Sequence, residues 1–130
     1  MTRVFVNGTF DILHPGHIRL LRSASSIGKV CVAIDSDNRV KQLKGPYRPI
    51  NNAYHRIQML EALKYVDYAV VFHSDEELKQ IITEWKPDYM IKGSDYRGKL
   101  IVGEELVPRI LFIDITDDST TKIIERISNR

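Results

Sequence analysis

Five short apolar runs, at residues 4–6, 29–34, 68–72, 89–91 and 110–115, alternate with segments whose apolar residues recur at helical spacing. Runs of this length suit strands buried on both faces. The clearest helical segment has Leu78, Ile81, Ile82 and Trp85 at i, i+3, i+4 and i+7. Ser74 with Glu77 three residues on reads as its capping box, and Pro87 marks its end. Leu20, Ala24 and Ile27 give an earlier helix that stops at Gly28, Ile57, Leu60 and Leu63 give another, and Ile123, Ile124 and Ile127 close the chain. No two-residue hairpin turn joins one apolar run directly to the next, so successive strands need crossover connections and pair in parallel. The expectation is a single doubly wound, Rossmann-like α/β domain over residues 1–130, with a five-stranded parallel sheet and helices on both faces.

A chain of 130 residues fits one such domain, on a prior of about 100–200 residues each. With 43% hydrophobic and 28% charged residues, disorder is excluded. Nineteen Lys and Arg against seventeen Asp and Glu leave +2, scattered along the chain, so no basic stripe marks a nucleic-acid partner. The one cysteine, Cys31, lies in an apolar run and reads as core; one thiol makes neither an intrachain disulfide nor a Cys-based zinc site. No apolar stretch approaches the ~18 residues of a membrane span and no signal-peptide pattern opens the chain, so the expectation is a cytoplasmic protein without a membrane partner.

In open α/β sheets ligands bind beyond the carboxyl ends of the strands, at the switch in strand order. Residues 8–17, 35–52, 92–99 and 116–121 should converge there. Residues 35–52, with Gly45, Pro46 and Pro49, form the longest irregular stretch, and a loop that long in a small domain is expected to be functional. In "GTFDILHPGH", at residues 8–17, Pro15 fits the first helical position and makes His14 the N-cap. His14 and His17 then stand one turn apart at the positive end of a helix, and Gly16 allows close approach to the backbone. That arrangement suits an anion, above all a phosphate. Two histidines at i, i+3 also fit a metal pair, although Asp11 is the only acidic residue nearby and no HExxH is present. "DDSTTKII" opens the last helix with Asp118 or Ser119 as N-cap, and a plain capped helix accounts for the same letters.

"GTFDILHPGH" resembles the GTFDxxHxGH signature of the small cytidylyltransferase-like nucleotidyltransferases, and "STTKI" at 119–123 resembles the end of their second signature, RTxGISTT. The resemblance covers essentially the whole chain. It implies nucleotidyl transfer, in which an acceptor phosphate attacks the α-phosphorus of a nucleoside triphosphate in line and pyrophosphate leaves. Mg²⁺ is implied as a cofactor carried by the triphosphate, with no direct protein ligand. By the same resemblance His14 and His17 donate to the triphosphate and to charge building in the transition state. Backbone N–H groups around Thr9 and Phe10 cradle phosphate oxygens beside Gly16, Asp11 anchors this nucleotide-binding turn, and Ser119, Thr120 and Thr121 clamp the β- and γ-phosphates. Three positions depart from the pattern: Asp117 replaces the Gly before STT, Asp118 stands beside it, and Asp114 replaces the leading Arg, whose phosphate contacts do not carry over.

"DSDNRVKQLKGPYRPIN" at 35–51, "HRIQMLEALKYVDY" at 55–68 and "KGSDYRGKLIVGEE" at 92–105 resemble the adenylyltransferase domain of the heptose-phosphate kinase/adenylyltransferases. This implies ATP and D-glycero-D-manno-heptose 1-phosphate as substrates and ADP-heptose as product. Since 130 residues leave no room for a kinase half, a stand-alone transferase is expected. Lys44 is the lysine expected at the α-phosphate and the acceptor phosphate, with Arg56 and Asp35 on the acceptor side. Asp37 either contacts sugar hydroxyls or caps a turn. Lys92, Gly93 and Asp95 are expected at the base or ribose. Glycerol-3-phosphate cytidylyltransferase is similar in length and layout, so CTP with a phosphorylated polyol is the alternative. A nucleotide-binding module without turnover is a third reading, raised by Asp117 and Asp118. Members of the family are often homodimers, and a homodimer is expected.

Overall fold

The computed structural model describes residues 1–114 and 119–129. β1 (Arg3–Gly8) lies in the middle of the sheet and α1 (Pro15–Ile27) returns the chain to β2 (Lys29–Asp35). α2 (Asp37–Lys44) and α3 (Ala53–Glu61) lead to β3 (Tyr68–Phe72), after which α4 (Asp75–Trp85) crosses back to β4 (Tyr89–Gly93). Two 3-10 turns, Ser94–Tyr96 and Glu104–Leu106, precede β5 (Arg109–Ile113) and α5 (Thr120–Ser128). The strands are parallel in the order β3-β2-β1-β4-β5. The expected α/β architecture is therefore the one observed, and the order reverses at β1, opening a crevice beyond the ends of β1 and β4.

β1 shows why these residues make a covered sheet. Val4 and Val6 face one side and Phe5 the other, all fully buried. On the first side Val30, Val32 and Ile34 of β2 pack with Leu21 and Ala24 of α1 and Leu60 of α3. On the second, Cys31 and Ala33 pack with Leu78 and Ile82 of α4 and with Met90 of β4. Cys31 sits in this core, where burial pushes its thiol up to about 12. Val4 pairs with Val30 and with Tyr89, and a slip of one residue would exchange the two buried faces. Gly28 is fixed by close approach: a Cβ there would overlap the carbonyl of Thr2, the group that accepts from Lys29 N–H at 2.9 Å where the β2 ladder begins.

Three expectations change. Residues 35–52 are not wholly irregular, because α2 occupies Asp37–Lys44. Its one buried apolar residue is Val40, too little to show as a period; the helix is held instead by Ser36, whose Oγ accepts from Arg39 N–H, and by Arg39 bound to Asp35. The capping box at α4 is half formed. Ser74 Oγ accepts from Glu77 N–H at 3.1 Å, but the Glu77 carboxylate turns to the N–H and ring of His73, which offer it two partners. β5 ends at Ile113, and Ile115 lies outside the described residues.

Candidate active site

The turn from β1 to α1 is built by two imidazoles acting as caps. His14 is the N-cap and Pro15 the first helical residue, as the sequence implies. Nδ1 of His14 accepts from Gly16 N–H at 3.1 Å, and Nδ1 of His17 accepts from His14 N–H at 3.2 Å. An imidazole that accepts through Nδ1 carries its proton on Nε2 when neutral, so both rings have a defined donor edge. Burial, and then the neighbouring His14, hold His17 down at about 4. It is therefore an uncharged donor at neutral pH. Phe10 completes the turn with φ of 50°, a left-handed conformation a non-glycine residue adopts only under constraint. Its buried ring supplies the constraint, packing 4.9 Å from the His17 ring.

Asp11 anchors the following loop to this turn. Its carboxylate, with no exposed side-chain area, accepts from Ile50 N–H at 2.8 Å, Asn51 N–H at 2.9 Å and Arg48 Nε at 3.4 Å. Arg56 corrects an expectation. It is completely buried and donates to the carbonyls of Thr9 and Asp35, both at 2.9 Å, to that of Asn51 at 3.0 Å and to the Asp37 carboxylate at 2.7 Å. Its guanidinium binds the turn, the end of β2, the start of α2 and the loop, and presents no surface to an acceptor. From the far side, Thr120 Oγ1 donates to the Ile12 carbonyl at 2.9 Å, and Ser119 is the N-cap of α5.

These contacts enclose a cavity of about 280 Å³ between the turn, the end of α2 and the start of α5. Thr9, Phe10, Asp11, His14, Gly16 and His17 border it from the turn, Lys44 from α2, and residues 119–121 from α5. Two further cavities flank it. One of about 370 Å³ lies toward β2 and β3, bordered by Asp35, Arg39, Phe72, Asp75 and Lys92. The other, about 140 Å³, lies toward β4 and includes Gly93 and Asp95. Thr9 and Tyr96 border all three, and Lys44 borders the first and second. Lys92 stands between the second and third, donating to Asn7 Oδ1 at 2.8 Å; burial pulls its ammonium down to about 8 against the opposing pull of Asp35 and Asp95.

Sequence reasoning passed over Arg48, Tyr96, Arg39 and Asp75. Arg48 lies four residues beyond Lys44 in the same quoted loop, but its partner Asp11 is 37 positions away and nothing local reveals the pairing. Tyr96 follows Asp95 directly in "KGSDY", and was legible only as part of that run. Asp117 and Asp118 lie outside the described residues. Among the described residues no group of three or more His, Cys, Asp or Glu is placed to hold a metal ion. Asp11, the carboxylate nearest the two imidazoles in sequence, is engaged by backbone N–H groups and Arg48.

Comparison with known proteins adds three findings. A family model described as cytidylyltransferase-like matches residues 5–126. The bifunctional protein HldE of Campylobacter fetus is 50% identical over 128 residues, covering 97% of this chain, and that of Campylobacter jejuni strain RM1221 is 46% identical over 129 residues. The chain spans 28% of the length of each of these relatives. Among solved structures, a lipopolysaccharide core biosynthesis protein from Thermoplasma volcanium superposes with a TM-score of 0.74 at 28% identity, covering 90% of this chain and 99% of that one.

Proposed function

Because the chain belongs to the cytidylyltransferase-like family, we propose that its three cavities carry out nucleotidyl transfer from a nucleoside triphosphate to a phosphorylated sugar. The triphosphate occupies the central cavity, its nucleoside the one toward β4, and the acceptor the one toward β2. The observation that carries this reading is the position of Lys44 on the border of the central and acceptor cavities. A cation there neutralises two phosphates that must approach each other, which positioning alone cannot do.

An oxygen of the acceptor phosphate forms the new bond to the α-phosphorus as the bond from that phosphorus to the bridging oxygen breaks, and the electron pair leaves on pyrophosphate. The nucleophile is already ionised at neutral pH, since the second pKa of a phosphate monoester is about 6. No general base is required, which accords with His17 being held at about 4, too weak a base to take a proton but a good neutral donor. Its Nε2–H, with that of His14 and the positive end of the α1 dipole, stabilises charge on the phosphoryl oxygens. A divalent cation, Mg²⁺ in this reading, would be held through the triphosphate and not by a protein cluster among the described residues, and would supply charge screening to the pyrophosphate.

ATP and D-glycero-D-manno-heptose 1-phosphate, giving ADP-heptose, are the substrates favoured by the likeness to HldE proteins. We place the protein in the cytoplasm as a homodimer; no helix among the described residues is long and apolar enough to cross a membrane. The test is pyrophosphate release with ATP or CTP against heptose 1-phosphate and glycerol 3-phosphate. ATP with the heptose should give the highest kcat/KM. CTP with glycerol 3-phosphate as the preferred pair would move the chain to the glycerol-phosphate branch, and no release from any pair would leave a binding module.

A further inference from the structure

The central cavity holds a cation that the signature residues do not account for. Arg48 lies in the loop after α2, borders the cavity and has only 13% of its side chain exposed. Nε donates to Asp11 Oδ2 at 3.4 Å and Nη1 to Thr121 Oγ1 at 3.3 Å. A guanidinium has five N–H donors in a planar fork, so three are left with no partner among the described residues. Arg48 borders the cavity, so an anion bound there can complete the fork with charge-assisted hydrogen bonds. Asp11 is fixed by two backbone amides, so it holds the fork by its Nε side and leaves the Nη edge turned elsewhere. The partner Thr121 assigns that edge to the start of α5, within the central cavity.

We propose that Arg48 is a polyphosphate ligand whose Nη edge binds β- and γ-phosphate oxygens, across the cavity from the two imidazoles. This rests on reading the central cavity as the triphosphate site. The fork suits the task because it offers parallel N–H groups to two phosphate oxygens, which a lysine cannot.

The test combines calorimetry on Arg48→Ala and Arg48→Gln with side-chain ¹⁵N NMR of the unaltered protein, using Mg·ATP, AMP and inorganic tripolyphosphate as probes. Both variants should bind ATP and tripolyphosphate at least tenfold more weakly while AMP changes less than twofold. A scaffold role alone would weaken AMP equally, and that result overturns the proposal. In the unaltered protein tripolyphosphate should shift the Arg48 Nε and Nη signals; unmoved signals overturn the proposal even where neither variant folds. A tripolyphosphate shift at Arg48 without pyrophosphate release from any acceptor upholds the ligand and removes the transfer reading. Full turnover with an unchanged KM for the triphosphate in Arg48→Gln does the reverse.

Discussion

The backbone N–H of His14 is bound by the ring of His17 at 3.2 Å, so the residue proposed to meet the triphosphate also closes the turn that positions its partner. One side chain thus serves two ends, through its two ring nitrogens. The pair is separable by experiment, since Nδ1 acts in the free protein and Nε2 only when substrate is present.

His17→Ala should lower kcat by about 10²–10³-fold, the usual loss for one preorganised donor at a developing charge. Stability should fall by only about 1 kcal/mol, the scale of a lost cap. Pyrophosphate release at saturating substrate, with a urea midpoint for the same preparation, measures both. Undiminished turnover would remove His17 from the chemistry.

The same ring makes stability depend on pH. Its folded value near 4 lies below the ordinary 6.5, so between those values the unfolded chain binds the extra proton. The stabilisation is fully present above pH 6.5 and is lost as pH falls toward 4, by about 2–3 kcal/mol. Urea unfolding at pH 7.5 and 4.5 should show the drop, and His17→Gln should shrink it.

Arg56 should prove to be a scaffold residue. Arg56→Ala leaves the Asp37 carboxylate and three carbonyls without their donor, at a cost of about 3–5 kcal/mol. Arg56→Lys cannot reproduce the fork and should also lower the melting temperature. A lysine variant that melts like the parent but needs tenfold more acceptor would return Arg56 to the substrate.

Lys92 reports on the floor of the site in the same sense, as a second cation disfavoured by burial. Its folded value near 8 lies below 10.5, so the unfolded chain binds more protons from pH 8 to 10.5 and stability rises across that window. The difference in unfolding free energy between the parent and Lys92→Met should therefore grow by about 2–3 kcal/mol from pH 8 to 10.5. A constant difference would mean that the ammonium is not desolvated.

The sheet was legible because its buried strands read as continuous apolar runs, and α1, α3 and α4 because each buries a stripe; α5 shows the same period in sequence but buries only Thr120 and leaves Ile127 65% exposed. α2 was not legible. It buries only Val40 and depends on Ser36 and on Arg39 reaching Asp35 and Asp75, the last of these 36 positions away. The turn with His14 and His17 was readable since cap, proline and both rings are local in sequence. Arg56 and Arg48 look alike as loop-side arginines in the sequence; only the fold shows one wholly buried among protein acceptors and the other with part of its fork unmatched.

The loop after α2 is held at Ile50 and Asn51 chiefly by their amides, the Asn51 side chain adding one bond to the Asp11 carbonyl at 3.3 Å. Attachment through the main chain is blind to residue identity, so positions between Arg48 and Asn51, whose side chains do bind Asp11, and the loop tip before them can be substituted without shifting the loop. Tyr47, 89% exposed, and Ile50, 54% exposed, are already free of packing duties. The loop therefore offers a place where new acceptor preferences can be acquired while the phosphate chemistry next to it stays as it is.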